Sequence, residues 1–220
     1  RKRWASRRPS RPVTHPMPAE SASRLASLEA AFRRAPQTAL GPSSDYDLNA
    51  PVALPEDRHL RAAAVLIALQ PWDGQIVLTK RSSKLKHHPG QIAFPGGKAD
   101  PGDRDLSDTA LREAREEIAL PSDTVEVVGM LPPHETVTGF SVTPVLGVLT
   151  APFTAVPETG EVAEAFRVPL SHAINPERFV IEGRIWRGQR RQYYAVPWGP
   201  YYIWGATARM LMQLSDAMAQ

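Results

Sequence analysis

The sequence of 220 residues contains no cysteine. Without thiols the protein forms no disulfide bond, thiolate metal centre or cysteine nucleophile, which fits a reducing compartment. Long apolar runs are also missing: the longest, Ala62 to Leu69, has the length of a strand and falls short of the roughly 18 residues that a spanning helix needs. No succession of charged, apolar and small residues resembles a secretory signal. We therefore expect a cytoplasmic protein with no membrane partner.

Acidic residues are absent from positions 1–16, which hold six arginines or lysines. Removing these six from the 26 basic residues leaves 20 against 23 acidic residues, a formal charge of −3 for the rest of the chain. The basic character of the chain is therefore mainly a property of its beginning. We expect residues 1–19 to form a disordered basic leader. The alternative is an arm that binds nucleic acid through counterion release, but nucleic acid is not an expected partner.

Hydrophobic residues make up 42% of the chain and charged residues 22%, which excludes wholesale disorder. Residues 20–220 are expected to form one domain: a helix over 20–35, a linker over 36–60 and a core over 61–220. Strands and helices alternate in the core, which favours an α/β or α+β architecture. The predicted strands are Arg61–Gln70 and Gln75–Lys80 as a hairpin, Thr124–Leu131, Val142–Leu149, Val162–Leu170, Phe179–Trp186 and Gln192–Val196, and the predicted helices are Leu106–Leu120 and Ala206–Met218.

Three glutamates of the predicted helix Leu106–Leu120 carry a chemical signal. Glu113, Glu116 and Glu117 are three and four residues apart and share one side of the helix, where like charges repel. A hard divalent cation such as Mg²⁺ relieves this repulsion, because it prefers carboxylate oxygens. On its own the segment is also compatible with a solvated face of mixed arginine and glutamate.

A glycine-rich segment, Gly90 to Lys98, precedes this helix. Its Gly96-Gly97 pair permits close approaches that other residues do not, so the loop can turn carbonyls toward a metal or amides toward a phosphate. Between loop and helix, Asp105 or Ser107 is the predicted N-cap. A Gly-Gly loop followed at this interval by three helical carboxylates favours a site over a solvated face.

Together, Gly97, Asp103 and the run Arg112 to Leu120 resemble the Nudix box, whose consensus is Gly, five residues, Glu, seven residues and then Arg-Glu-U-x-Glu-Glu-x-Gly-U, with U aliphatic. Three departures stand out: Asp103 replaces a glutamate, the spacing before Arg112 is one residue longer, and Ala119 replaces a glycine. The preceding segment, Leu78 to Gly97, is similar to the additional motif of the coenzyme A diphosphatase branch, in which the longer spacing is usual.

The resemblance implies the Nudix fold, a mixed sheet between helices, here with an N-terminal helical extension. It also implies hydrolysis of a diphosphate with Mg²⁺ or Mn²⁺ as cofactor, held by Glu113, Glu116, Glu117 and the Gly97 carbonyl. Arg112 is expected to hold a glutamate in place. Glu161, with Glu164 second, is the expected general base. The expected substrate-binding residues are Arg81, Lys86, His88, Gly96 and Thr138, with the basic ones serving the 3′-phosphate of coenzyme A.

The expected reaction cleaves coenzyme A or acyl-CoA into (acyl-)4′-phosphopantetheine and adenosine 3′,5′-bisphosphate. Two alternatives remain: the same chemistry on ADP-ribose, a dinucleotide or an oxidised nucleotide, and a non-catalytic sensor of nucleotides or nucleic acid. Because all three box glutamates are present, the pattern favours an enzyme. Monomer and homodimer both remain open.

Overall fold

The computed structural model describes residues 19–39, 41–49, 58–186 and 188–220. The predicted leader lies outside these residues except for its last position. The helices are α1 (Ala19–Thr38), α2 (Leu106–Ile118), α3 (Leu170–Ala173) and α4 (Ala206–Met218), with short 3-10 turns at Ser122–Thr124 and Pro176–Arg178. The strands are β1 (Ser43–Ser44), β2 (Arg61–Gln70), β3 (Gln75–Arg81), β4 (Ile92–Ala93), β5 (Gly96–Lys98), β6 (Val125–Met130), β7 (His134–Glu135), β8 (Phe140–Leu149), β9 (Val162–Pro169), β10 (Val180–Trp186), β11 (Gln189–Trp198) and β12 (Tyr201–Trp204).

Strands β1 to β9 form a mixed sheet with β2 at its centre. The order along the main path is β1-β7-β8-β2-β3-β4, while β5 pairs with β2, β6 with β8 and β9 with β3. Strands β2 and β8 run parallel over nearly their full length, from the pair Arg61–Phe140 to the pair Leu69–Val148. The remaining three strands form a separate antiparallel sheet in the order β10-β11-β12.

Both faces of the mixed sheet are covered by helices. Ile67 and Leu69 of β2 belong to one buried cluster, with residues of α1 and α4, and Leu66 and Ala68 belong to another, with residues of α2. The change of cluster from one residue to the next follows from the alternation of side chains along a strand. The prediction of a mixed α/β fold with a sheet between helices and an N-terminal helix is confirmed.

The N-terminal helix is longer than predicted. It continues through Pro36 to Thr38, whereas the sequence pattern ends it at Ala35. Phe32 and Ala35 are fully buried, and the Pro36 ring packs so closely on Gly129 of β6 that a Cβ there would meet it at 2.6 Å. This packing outweighs the lost hydrogen bond of one proline in the last turn. The predicted linker therefore loses its first residues to α1 and contains β1, while residues 40 and 50–57 lie outside the described ranges.

Strands β2 and β3 form a smaller hairpin than predicted. They pair only at Leu69–Ile76 and Gln70–Gln75, next to the turn. Beyond the turn β2 pairs instead with β5, and β3 pairs with β9 and β4. The glycine-rich segment 90–98, predicted as a loop, thus contributes two short strands to the sheet. None of the described helices is long and apolar enough to cross a membrane.

Candidate active site

Helix α2 presents the box glutamates and has defined ends. Asp105 is its N-cap, and its side chain accepts a hydrogen bond from the Asp108 amide at 2.9 Å. Ala119 ends the helix in the left-handed region, at φ 55° and ψ 32°. Glycine adopts this conformation without strain, which explains its usual presence at this box position, and alanine there costs about 1 kcal/mol. The departure at Ala119 therefore affects local stability and leaves the carboxylates in place.

The two glycines of β5 bring the backbone against these carboxylates. The Gly96 amide donates to Glu117 Oε2 at 3.2 Å. At Gly97 an added Cβ would lie 2.6 Å from the carboxyl carbon of Glu113, so only glycine fits without displacing that side chain. Strand β5 is held in this position by its pairing with β2, at Ala64–Gly97 and Val65–Gly96. The Gly-Gly pair thus allows the sheet to approach the carboxylates of α2 directly.

Burial makes the negative charge of both carboxylates costly. Glu117 is only 4% exposed, and loss of solvation raises its pKa to about 7 despite the hydrogen bond from Gly96. Burial also raises the pKa of Glu113, while its hydrogen bond to Arg112 opposes the shift. The charges of Glu113 and Glu161 contribute further to the raised pKa of Glu117. A bound cation would remove this cost.

Arg112 is the centre of an ion-pair network at the side of the site. It donates through Nε and Nη2 to the two carboxylate oxygens of Asp103, at 2.9 and 3.0 Å, and through Nη1 to Glu113 at 2.9 Å and Glu116 at 3.0 Å. Asp103 also accepts bonds from the Asp100 amide and the Thr109 hydroxyl. The aspartate that departs from the box consensus is therefore the bidentate anchor of Arg112, and Arg112 in turn holds two glutamates.

The donor set at the glycine loop suits a hard divalent cation. The partly buried carboxylate of Glu113 and the buried one of Glu117 lie beside the backbone of Gly96 and Gly97, and all these groups offer oxygen. Within the described residues, no three Asp, Glu, His or Cys side chains converge closely enough to hold an ion by themselves. Glu116 is 53% exposed at its side chain and is directed to Arg112. These residues fit Mg²⁺ or Mn²⁺, which takes few carboxylates and completes its coordination with water and substrate phosphate.

Glu161 reaches the site through a loop that is tied to α2. The amides of Val156 and Glu158 donate to the carbonyls of Ile118 and Glu117, at 3.0 and 2.8 Å. On its other side the loop accepts a bond from the Ser82 amide at the Glu161 carbonyl, at 2.8 Å. The exposed Glu161 side chain lies close enough for its charge to raise the pKa of both Glu113 and Glu117.

Glu164, the second-choice base, has a structural partner of its own. Its carboxylate accepts a hydrogen bond from the Tyr201 hydroxyl, and the Tyr201 ring stacks on Phe166 at 3.6 Å. The carboxylate is thus engaged in joining β9 to β12, whereas the charge of Glu161 acts on Glu113 and Glu117.

Arg81 stands between the carboxylates and a neighbouring cleft. Its backbone is bonded to the loop before β4, with its amide donating to the Gln91 carbonyl and its carbonyl accepting from the Gly90 amide. On one side its charge opposes the rise in the pKa of Glu117; on the other side partial burial lowers the pKa of His88, and the charge of Arg81 adds to that shift. Within the described residues Arg81 forms no ion pair, and its Nε is buried without a hydrogen-bond partner. This cation is therefore free to bind a substrate anion.

The other predicted substrate residues differ in position. Gly96 is part of the site itself. His88 has φ 53° and, with Gln91, Arg184 and Trp204, lines a cleft of about 320 Å³. Lys86 is exposed in the loop between β3 and β4.

Thr138 lies in the turn just before β8, next to the start of β2. Its carbonyl accepts a bond from Arg61 at 3.0 Å, and its hydroxyl is paired with that of Thr136. These contacts tie the residue to its own loop, and its role toward substrate stays a prediction.

Sequence reasoning did not find Arg184, because the β10–β11 hairpin that carries it is about 90 residues from Gln91 along the chain. The sequence does hold an aromatic cluster near its C-terminus, formed by Trp198, Tyr201, Tyr202 and Trp204, but spacing along the chain does not show which residues lie next to it.

Comparison with known proteins identifies the family. The NUDIX domain matches residues 59–186, more than half of the chain and all of the residues that form the site. The chain belongs to the Nudix family. It is 41% identical over 172 residues to a protein of Pectobacterium atrosepticum named as an uncharacterized Nudix hydrolase, NudL, covering 77% of this chain and 89% of the relative. A NudL protein of an Enterobacter species is 42% identical over 159 residues, covering 70% and 81%.

Among solved structures, an Ap4A hydrolase of C. elegans in a binary complex is similar at 24% identity and a TM-score of 0.42, covering 51% of this chain and 83% of that one. The family assignment makes the chain a Nudix-type hydrolase, an enzyme that acts on the diphosphate bond of a nucleoside diphosphate derivative.

Proposed function

We propose that the protein hydrolyses the diphosphate of coenzyme A or acyl-CoA to (acyl-)4′-phosphopantetheine and adenosine 3′,5′-bisphosphate, with Mg²⁺ or Mn²⁺ as cofactor. The observation that carries the proposal is the position of Arg81. The motif that resembles the coenzyme A diphosphatase branch places this cation, without an ion-pair partner in the described residues, between the buried Glu117 and the cleft at His88. An elongated substrate with a diphosphate in its middle suits this arrangement.

In the proposed reaction a water oxygen forms a bond to one phosphorus while the bridging oxygen leaves with the other phosphate. The bound cation would supply neutralisation of the negative oxygens of the diphosphate. Glu113 and Glu117 would hold the cation beside the Gly97 backbone. Arg112, fixed by Asp103, keeps Glu113 in its position. Arg81 binds the diphosphate.

Glu161 is the proposed acceptor of the proton from the attacking water. Backbone hydrogen bonds tie its loop to α2, and within the described residues its side chain forms no hydrogen bond or ion pair. An exposed carboxylate at this place can release the proton to solvent after each turnover. Glu116 is more exposed and bonded to Arg112, so we assign it a supporting role in holding that arginine.

A substrate panel tests the proposal. The protein is incubated with coenzyme A, acetyl-CoA, ADP-ribose, a dinucleoside polyphosphate and an oxidised nucleoside triphosphate, each with Mg²⁺ or Mn²⁺, and products are separated by chromatography. We expect the highest kcat/KM for coenzyme A or its thioester, with the two named products in equal amounts. The Glu117→Gln variant, purified in parallel, controls for a contaminating hydrolase. A higher kcat/KM on another substrate would overturn the proposed substrate, and a folded protein inactive on the whole panel would favour a sensor.

A further inference from the structure

The cleft beside Arg81 contains side chains that have no role in the proposed hydrolysis step, notably Arg184 and Trp204. It is lined by the loop His88–Gln91 on one side and by Arg184 and Trp204 of the three-stranded sheet on the other, with a volume of about 320 Å³. This volume lies at the lower end of the range for sites that bind small molecules. The cleft is therefore large enough for one part of a substrate and too small for a whole dinucleotide.

An arginine and an aromatic ring face each other in this cleft. Arg184 Cζ lies 5.5 Å from the centre of the Trp204 ring, and Tyr193 supports that ring from the next strand at 4.9 Å between centroids. Within the described residues Arg184 forms no ion pair. A guanidinium of this kind binds phosphate, and a half-buried tryptophan offers a flat surface for a nucleobase.

Only a short stretch of chain separates the cleft from the carboxylates of Glu113 and Glu117. Gly97, at Glu113, lies six positions after Gln91, at the cleft, and a fully extended chain of six steps spans at most about 20 Å. Arg81 is bonded to Gln91 and Gly90 by its backbone, and it lies between the two sites. On the far side, the Thr207 hydroxyl donates to the Ile92 carbonyl at 3.0 Å, which joins the first turn of α4, just after β12, to β4. One substrate can therefore occupy both places.

We propose that this cleft binds the phosphorylated nucleoside end of the substrate, with the base against Trp204 and a ribose phosphate on Arg184. The proposal rests on the diphosphatase function proposed above and adds the direction in which the substrate lies. The pantetheine end carries no charge and no ring, so it would leave the guanidinium and the indole unused. The adenosine end of coenzyme A carries both a base and a 3′-phosphate, which match the two groups of the cleft.

The same hairpin offers a matched control. Arg190 lies on β11 and projects from the opposite face to Arg184, since it pairs with Ile185, the next residue of β10. Its Nε lies 2.8 Å from the position that a Cβ on Gly183 would take. Replacing either arginine with alanine removes the same charge from the same exposed hairpin, but only Arg184 faces the cleft.

The test measures binding of the two product halves to the full-length protein by titration calorimetry. We expect Arg184→Ala to weaken adenosine 3′,5′-bisphosphate binding about tenfold and to leave 4′-phosphopantetheine within about twofold, while Arg190→Ala changes neither. Trp204→Leu, which retains an apolar side chain, should also weaken the bisphosphate alone.

Equal effects of the two arginine variants, or weaker phosphopantetheine binding in Arg184→Ala, would overturn the assignment of the cleft. Failure of the proposed function has a different readout. If the substrate panel shows hydrolysis of ADP-ribose and not of coenzyme A, titration with adenosine 5′-monophosphate decides the cleft: weaker binding to Arg184→Ala than to Arg190→Ala supports it, and equal binding refutes it.

Discussion

Gly97 lies against the carboxylate of Glu113, at a distance that leaves no room for a Cβ between them. An alanine at position 97 would place its methyl group 2.6 Å from the carboxyl carbon of Glu113. The atoms that the methyl group would meet are the carboxylate of Glu113, at the end of a flexible side chain, so the side chain can move aside at little cost to the fold. Glu113 would, however, leave the position in which we propose that it holds the metal.

We expect Gly97→Ala to separate activity from stability. The melting temperature should change little, whereas kcat should fall markedly, because a shift of about 1 Å in a positioned group can cost about 10²-fold in rate. Gly102→Ala is the control, since a Cβ there meets nothing within 4 Å. Wild-type kcat in Gly97→Ala would show that the Glu113 position is not required, and a large loss of stability would show that the contact serves the fold.

Replacing Glu117 with glutamine should abolish turnover without unfolding the protein. Glutamine has nearly the same shape but lacks the anionic oxygen that a hard cation prefers. The expected fall in kcat is about 10²-fold or more, the scale seen when one electrostatic partner of a reaction is removed. Glu116→Gln should cost less, because that side chain is exposed and bonded to Arg112. A folded Glu117→Gln enzyme with near-normal kcat at millimolar Mg²⁺ would refute the metal assignment.

The stability of the metal-free protein should depend on the ionisation of Glu117. Its pKa is about 7 in the folded chain and close to 4.5 when unfolded, so the folded state binds more protons between these values and loses stability as the pH rises. Over this interval the destabilisation amounts to about 2–3 kcal/mol. Urea unfolding with a chelator at pH 5 to 8 measures this effect. The free energy of unfolding of Glu117→Gln should increase relative to that of the wild type as the pH rises. A constant difference would contradict the burial argument.

The box carboxylates illustrate what could be predicted from the sequence. Helical spacing predicted that Glu113 and Glu117 lie on one side of α2, and the glycine pair predicted a close approach of the loop. Both features could be predicted because they depend on local geometry. The same reasoning could not show that Glu116 is directed to Arg112, since that choice depends on how Asp103 anchors the arginine. Local pattern also missed the pairing of β5 with β2, which turns a predicted loop into part of the sheet.

Long-range contacts account for the other differences. The helix through Pro36 depends on packing against Gly129, and Arg184 reaches the cleft through a hairpin remote in sequence. Neither relation has a period or a spacing that could be read along the chain. The aromatic residues near the C-terminus show the same limit, because Tyr201 stacks on Phe166 while Trp204 lines the cleft.

Asp103→Asn should reduce activity through Arg112. Arg112 holds the pKa of the Asp103 carboxyl well below its usual range, so the ionised aspartate stabilises the fold at neutral pH. Loss of an outer partner of a metal site typically costs about 10- to 100-fold in metal affinity or activity. Asp103→Glu, which restores the consensus residue of the box, should retain much of the metal affinity and activity that Asp103→Asn loses. Metal titration and turnover of the three proteins measure this effect.

Acid unfolding of the same proteins gives a second readout. The contribution of Asp103 is present above its ordinary pKa of 3.8 and is lost as the pH falls through the lower value in the folded state. The stability difference between wild type and Asp103→Asn should therefore shrink below about pH 4. If activity falls equally in the asparagine and glutamate variants, Asp103 has a role other than anchoring Arg112.

Arg81→Ala should impair hydrolysis of coenzyme A and of 3′-dephospho-CoA to the same degree. The sequence alone suggested that this arginine serves the 3′-phosphate, but its position next to Glu117 favours the diphosphate that both substrates share. A charge-assisted hydrogen bond contributes roughly 1.5–3 kcal/mol, so kcat/KM should fall about tenfold or more on each. Arg81→Lys keeps the charge but loses the bidentate geometry of the guanidinium, so its kcat/KM should lie between those of the wild type and Arg81→Ala.

Lys84→Ala controls for charge in the same loop, because Lys84 is exposed three residues further on. This variant should leave kcat/KM unchanged for both coenzyme A and 3′-dephospho-CoA. A loss in Arg81→Ala that is confined to coenzyme A would place Arg81 on the 3′-phosphate and would remove the reason for assigning that phosphate to Arg184. Two results together would support the proposed orientation of the substrate: equal losses of kcat/KM on both substrates in Arg81→Ala, and a loss confined to coenzyme A in Arg184→Ala. The diphosphate would then lie at Glu117 and Arg81, and the adenosine end at Trp204.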